Sequence, residues 1–337
     1  MDLILFRLAS VAEDRLGEHL QRLLPRLLDR MQFCSMTVMQ KILEVLNHVY
    51  QRLKSNDSLL LPVDTLLEQF ALLGDPSGGS SDGTPKPTNS AGAGIAANFY
   101  LLFIEKGLAR LPIEQRRELL PQLLRVLPKR SAAQQTSILH IAIECIAVLQ
   151  YPLVAADEKK SALFILAERN VERKMLLEFL LHVLLHNPQP QAQPKPQSAE
   201  NSGSSASSSA APAPAPAPSA AESSGADASA QPARQKSDPS PGLSQREHER
   251  VTKNGQKSWT LAEMNIIREA ALKFLETGIF SDNEILPHAI VASCIGSQAV
   301  VSRAENLLRN LKNLDLENAE TVQLLMQLFL GDMALLP

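Results

Sequence analysis

Leu176-Leu177-Glu178-Phe179-Leu180-Leu181-His182-Val183-Leu184-Leu185-His186-Asn187-Pro188 decides how this chain reads. Leu176, Leu177, Leu180, Leu181, Leu184 and Leu185 recur at three- and four-residue spacing, which places them on one face of an α-helix. At Asn187 the composition changes abruptly. From Pro188 to about Ser258 it is Pro, Ala, Ser and Gln, with no Phe, Trp or Tyr, and it includes the alternating run Ala211-Pro212-Ala213-Pro214-Ala215-Pro216-Ala217-Pro218. Such a stretch cannot offset the entropy of ordering itself, so residues 188–258 are expected to be a disordered linker, in part polyproline II.

On the N-terminal side the helical period repeats. Leu16, Leu20, Leu23, Leu24, Leu27 and Leu28 form one face. Val38, Ile42, Val45, Leu46, Val49 and Leu53 form another, followed by Leu119, Leu120, Leu123, Leu124 and Leu127, then Ile138, Ile141, Ala142, Cys145, Val148 and Leu149. Ser10-x-x-Glu13, Ser131-x-x-Gln134, Thr260-x-x-Glu263 and Ser281-x-x-Glu284 are capping-box patterns. Trp259 with Met264, and Phe280 with Ile285, flank the last two as hydrophobic staples. Pro62, Pro112 and Pro287 fall near expected helix starts, where a missing N–H costs little. No period-2 run bounded by turn signals argues for a strand.

Helices of this length with short connections imply hairpins stacked side by side. Their spacing is near the roughly 40–47 residues of HEAT and armadillo units. The expected fold is all-α: a HEAT/armadillo-like stack of helical hairpins, an α-solenoid, with one long disordered linker. Residues 1–187 form the first helical repeats with a flexible Gly, Ser, Pro and Asp-rich insert at 74–94. Residues 188–258 are the linker, and 259–337 a second helical segment, truncated at its C-terminal end. The last helix, Thr321 to Leu330, is expected to carry an apolar face with no following repeat to cover it. A single globular helical bundle is the competing architecture.

Apolar residues make up 45% of the 337 and aromatics only 4%, which suits stacked Leu-rich helices better than a β-sandwich. With 33 basic and 36 acidic residues the net charge is −3, so no positive excess favours nucleic acid as a partner. No run of about 18 apolar residues calls for membrane insertion. Met1 to Arg7 reads as the first turns of a helix and not as a signal peptide. Cys34, Cys145 and Cys294 are too far apart for a zinc knuckle or disulfide framework, and their apolar surroundings suggest buried thiols. Cytoplasm or nucleus is the expected location.

The residues argue against an enzyme. His182 and His186 stand at i,i+4, a spacing that can hold zinc, but no Glu follows His182 and no third ligand is near. The plainer reading puts one ring in a helix interface and the other at a helix end, where a cation is favoured. Gly78-Gly79-Ser80-Ser81-Asp82-Gly83-Thr84-Pro85-Lys86 lacks P-loop spacing. His140 and Cys145 are five apart on one helix and do not face each other. Asp157-Glu158 and Lys159-Lys160 read as a solvated helix start. No catalytic, cofactor-binding or metal residue is assigned, and no cofactor is expected.

Specific strings add a resemblance. Leu61-Pro62-Val63-Asp64-Thr65-Leu66-Leu67-Glu68-Gln69, Asn98-Phe99 with Arg110-Leu111-Pro112-Ile113-Glu114, Trp259-Thr260 with Lys273-Phe274-Leu275-Glu276, Ile290-Val291-Ala292-Ser293 and Leu330-Gly331-Asp332 stand in a fixed order. In that order they resemble the N-terminal part of the extracellular mutant 29 family, large HEAT-repeat scaffolds associated with the proteasome. The family also carries a Ser-rich spacer where Pro188 to Ser258 lies here. The insert at 74–94 looks longer than the family's connection. Family members continue for many further repeats, so the expectation is an N-terminal fragment or a truncated gene model. The resemblance implies a non-catalytic adaptor that binds the 26S proteasome, steadies contact between core and regulatory particles, and tethers proteasomes to other cell components. Proteasome subunits of both particles, and other proteins on the helical-repeat surface, are the implied partners. A transport or vesicle-coat adaptor of helical repeats is the alternative.

Overall fold

The computed structural model describes residues 13–73, 90–151, 162–188, 240 and 242–330. Among them are thirteen α-helices, two 3-10 turns and no strand. The helices are α1 (Glu13–Arg30), α2 (Met36–Ser55), α3 (Val63–Leu72), α4 (Ser90–Leu108), α5 (Ile113–Arg125), α6 (Ala132–Val148), α7 (Ile165–Glu168), α8 (Asn170–Leu185), α9 (Gln245–Val251), α10 (Leu261–Leu275), α11 (Asp282–Cys294), α12 (Gln298–Asn310) and α13 (Ala319–Leu330).

The leucine faces read from the sequence are the buried faces of α1, α2, α5, α6 and α8. Three edge residues differ: Leu23 is half-buried, Val38 and Val148 are exposed, and Met39 takes the inward place on α2. Helix α8 is buried nearly all round, Phe179 and Val183 joining the leucines, because it has neighbours on several sides. Capping boxes start α6, α10 and α11. Ser131, Thr260 and Ser281 accept the N–H of Gln134, Glu263 and Glu284, whose side chains bond back to the cap residue. Two donors at each helix start are thereby satisfied. Trp259, Met264, Phe280 and Ile285 are all buried, as staples require. Pro62 and Pro112 are the N-cap residues of α3 and α5, but Pro287 lies inside α11, where it cannot donate to the preceding turn. Ser10 of the first expected box lies outside the described residues.

Helix α3 packs on α4, and α5 on α6. Helices α4, α6, α10 and α12 then pack each on the next, and α8, α11 and α13 form a second file. Both files pass from the chain before Pro188 to the chain after Ser240. The described residues on the two sides therefore belong to one compact unit. Residues 242–258, expected as the last part of the linker, are part of it. Residues 242–258 form a turn, helix α9 and a second turn, and α9 packs on α6 and α8. Leu243, Val251 and Trp259 are buried there, and this apolar anchorage is what the Pro, Ala and Ser composition to the N-terminal side obscures. Residues 189–239 lie outside the described residues. So do 74–89 of the expected insert, whereas Ser90–Gly94 are the first turn of α4.

Helix C-termini leave carbonyls without intrahelical partners, and here arginines from later in the chain reach back to them. Arg110 Nη2 donates to the carbonyls of Leu53 (2.6 Å) and Asn56 (3.3 Å) at the end of α2. Arg130 Nη1 donates to Leu73 (2.6 Å) and Nη2 to Phe70 at the end of α3, with its guanidinium 4.2 Å from the Phe70 ring centroid. Arg110 reaches back 57 residues to Leu53 and Arg130 the same 57 to Leu73, so the stitch repeats as the helices do. Arg268 on α10 does the same for α8, donating Nη2 to the carbonyl of His186 at 2.6 Å.

Candidate functional site

The segment 240–259 carries four buried histidines to one place. His140 stands on α6, His182 on α8, His186 at its C-cap and His248 on α9. The carbonyl of Arg250 lies 3.0 Å from His140 Nε2, Glu247 Oε1 3.4 Å from His182 Nε2, and Ser240 Oγ 3.3 Å from His186 Nδ1. Ser240 Oγ also accepts the N–H of Asn187 at 2.9 Å, tying the segment's start to the end of α8. Trp259 closes the cluster, stacked on His140 with centroids 5.5 Å apart and edge-on to His186 at 6.1 Å. The His186 and His248 rings are 5.4 Å apart.

Burial sets the charge state here, since removing an imidazolium from water is costly. It pushes His140 down to about 3 and His186 to about 4, and it lowers His182 and His248. His186 sits at the helix end but burial disfavours its charged form, and the cation at that end is Arg268, which donates to the His186 carbonyl. Arg268 is itself buried, and desolvation brings it down to about 10. His288, on α11, has Nε2 2.8 Å from the Leu177 carbonyl and Nδ1 2.9 Å from that of Glu284. It stitches α8 to α11 as Arg173 does, Nε to Glu284 at 2.9 Å.

A groove of about 760 Å³ opens between the start of α6, α8, α9 and the turn after it, with Thr136, Glu178, His182, Arg246, Arg250 and Lys253 among its walls. Its charges are of both signs and largely paired: Arg250 to Glu178 at 2.9 Å, and Lys253 to Glu105 at 3.4 Å. A second groove of about 460 Å³ lies between α8, α11 and the start of α13. Helix α13 turns Leu328 inward and leaves Val322, Met326 and Phe329 exposed at i, i+4 and i+7, a second apolar stripe.

The serine hydroxyls that touch a carboxylate in these grooves, Ser244 to Glu247 at 2.8 Å and Ser281 to Glu284 at 3.0 Å, are the capping boxes of α9 and α11. The Cys145 thiol, buried on α6, is pushed up to about 12. Cys34 is half-buried and Cys294 exposed, so the expectation of buried thiols holds for Cys145 alone. Among the described residues no three His, Cys, Asp or Glu converge as metal ligands, and no helix is long and apolar enough to cross a membrane. The residues 157–160 and the Gly78–Lys86 loop lie outside the described residues. Sequence reasoning missed the 240–259 segment, although Ser244-x-x-Glu247 is the same capping box found elsewhere and is formed here. That pattern, with Leu243 and Val251 around it, was the available signal.

Stacked helical hairpins with arginine-stitched ends define a helical-repeat protein. Comparison with known proteins then makes the assignment specific. Residues 1–335 match the family model described as Proteasome component ECM29, N-terminal, and the chain belongs to that family. It is 29% identical over 324 residues to the human Proteasome adapter and scaffold protein ECM29, a match covering 96% of this chain and 15% of that relative. No solved structure matches.

Proposed function

We propose that this chain serves as the N-terminal helical-repeat segment of a proteasome adapter and scaffold, without catalytic activity, and that its repeats are of HEAT type. Family membership over residues 1–335 carries this reading. It also leaves the transport or coat-type alternative without support. The outward stripe of Val322, Met326 and Phe329 supports a role in helix-to-helix association, because contiguous apolar surface on a helix marks a place where another element packs. In this reading the chain binds the proteasome, contributes to holding core and regulatory particles together, and works in cytoplasm and nucleus.

The test is affinity capture from cell lysate with the tagged chain and with the full-length relative in parallel. Recovery of core and regulatory subunits by both, scored by mass spectrometry against a scrambled-surface control, is the expected result. Recovery by the relative alone would show that this segment is insufficient. Recovery by neither would overturn the reading.

A further inference from the structure

Many arginines of this chain hold the fold together. Arg110, Arg116 and Arg130 donate to backbone carbonyls, and Arg173, Arg250 and Arg303 meet carboxylates. The arginines of α1 do neither. Arg15, Arg22, Arg26 and Arg30 are all exposed, and no side chain among them bonds or pairs with another described residue. With exposed His19 they recur at four- and three-residue spacing. At about 100° per residue the five fall within about 80° of arc, turned away from the buried row of Leu16, Leu20, Leu24, Leu27 and Leu28. The row crosses about four turns and is about 22 Å long. Between Arg15 and Arg30 the only acids are Glu18 and Asp29, which stand together on one side of it. Neither pairs with these arginines, and Asp29 accepts from Gln32 Nε2 at 3.4 Å. Like charges one turn apart destabilise a helix that has nothing to set against them.

We propose that the outward row of α1 is a docking surface for an acidic protein segment: a helix with Glu or Asp at the same four- and three-residue spacing, lying along α1 and pairing its carboxylates with Arg15, Arg22, Arg26 and Arg30. A guanidinium presents two parallel N–H donors to a carboxylate, so a row of arginines selects that group by shape as well as charge. A helical partner repeats with the same pitch of about 5.4 Å, which keeps successive pairs in step along the whole row. Nucleic acid fits less well. Glu18 and Asp29 would repel phosphates along one edge, α1 has no Phe, Tyr or Trp on which bases could stack, and the chain carries a net charge of −3. A lipid surface also fits less well, because the leucines of α1 are buried in the stack and its outer face exposes no large apolar side chain to insert. Each exposed pair is worth about two- to fivefold in affinity and is weakened by salt. Proteasome binding is not a premise of this docking surface.

The test uses the full chain and a fluorescein-labelled, alanine-rich helical peptide of about five turns whose glutamates follow the spacing of the row. A second peptide of the same composition winds its glutamates round the helix. Binding is read by fluorescence anisotropy. At about 50 mM salt the striped peptide is expected to bind at least about fivefold more tightly than the wound one, and at about 500 mM its binding should be lost. Arg22→Glu with Arg26→Glu should weaken the striped peptide by about tenfold or more. Arg125→Glu with Arg246→Glu makes the same change of charge at exposed arginines on α5 and α9, and should alter binding by less than about twofold. If the glutamates disturb α1, Arg22→Gln with Arg26→Gln replaces them, and the comparison of the two peptides on the unaltered chain stands without any variant. Equal binding of the two peptides, equal loss in the two pairs of variants, or no binding at low salt would overturn the proposal. Tighter binding of a single-stranded oligonucleotide or of phosphatidylserine vesicles than of the striped peptide, lost with Arg22 and Arg26, would assign the row to phosphate and overturn it too.

Discussion

A single arginine shows how residue chemistry is spent in this fold. Arg130 lies in the connection before α6, yet its guanidinium meets the carbonyls of Phe70 and Leu73 at the end of α3 and covers the Phe70 ring. Bonds from a charged donor to buried carbonyls are worth about 1.5–3 kcal/mol together with the cost of leaving the carbonyls bare. Arg130→Ala is expected to destabilise the chain by about 2–4 kcal/mol, read from a denaturant midpoint. Arg130→Lys should recover little of it, because an ammonium cannot offer two donors in one plane or stack on the ring. Full recovery by lysine would mean that charge alone matters there.

Between elements, close approach decides the outcome. Gly107 is in the last turn of α4, where a Cβ would stand 2.4 Å from Val63 Cγ2 and 3.3 Å from Leu61 Cβ. Inside a helix, alanine is ordinarily preferred to glycine by about 1 kcal/mol. Here the collision between α3 and α4 should reverse that sign, and Gly107→Ala is expected to cost about 1–3 kcal/mol. Val63→Ala, which removes the colliding methyls, should be destabilising alone but should relieve part of the Gly107→Ala penalty. Additive effects in that double-mutant cycle would show that the helices do not touch at this point.

At the scale of the whole molecule, the packing of α10 on α6 and of α11 on α8 makes one body of two stretches that are distant in sequence. A protease site placed within residues 189–239 tests this directly. After cleavage at pH 7.5 the two fragments are expected to co-elute in gel filtration, held by the seam of Trp259, Arg268, His186 and His288. Separate elution would contradict the shared core.

Much of this was already present in the order of residues. The leucine period of α1, α2, α5, α6 and α8, the boxes at Ser131, Thr260 and Ser281, and the family strings all depend on neighbours within about four positions or on literal residue order, and both are properties of sequence. The candidate site was not legible in that way. His140, His182, His186, His248 and Trp259 are spread over 120 residues, and nothing local distinguishes a ring bound for the core from one bound for solvent. The short helix α9 follows a long Pro, Ala and Ser stretch, so an average over composition conceals three buried anchors. Tertiary structure alone decided that the chain after Ser240 returns to cover α6 and α8. Its stability comes from apolar surface and carbonyls supplied by helices far away in sequence, and those partners exist only once the stack has formed.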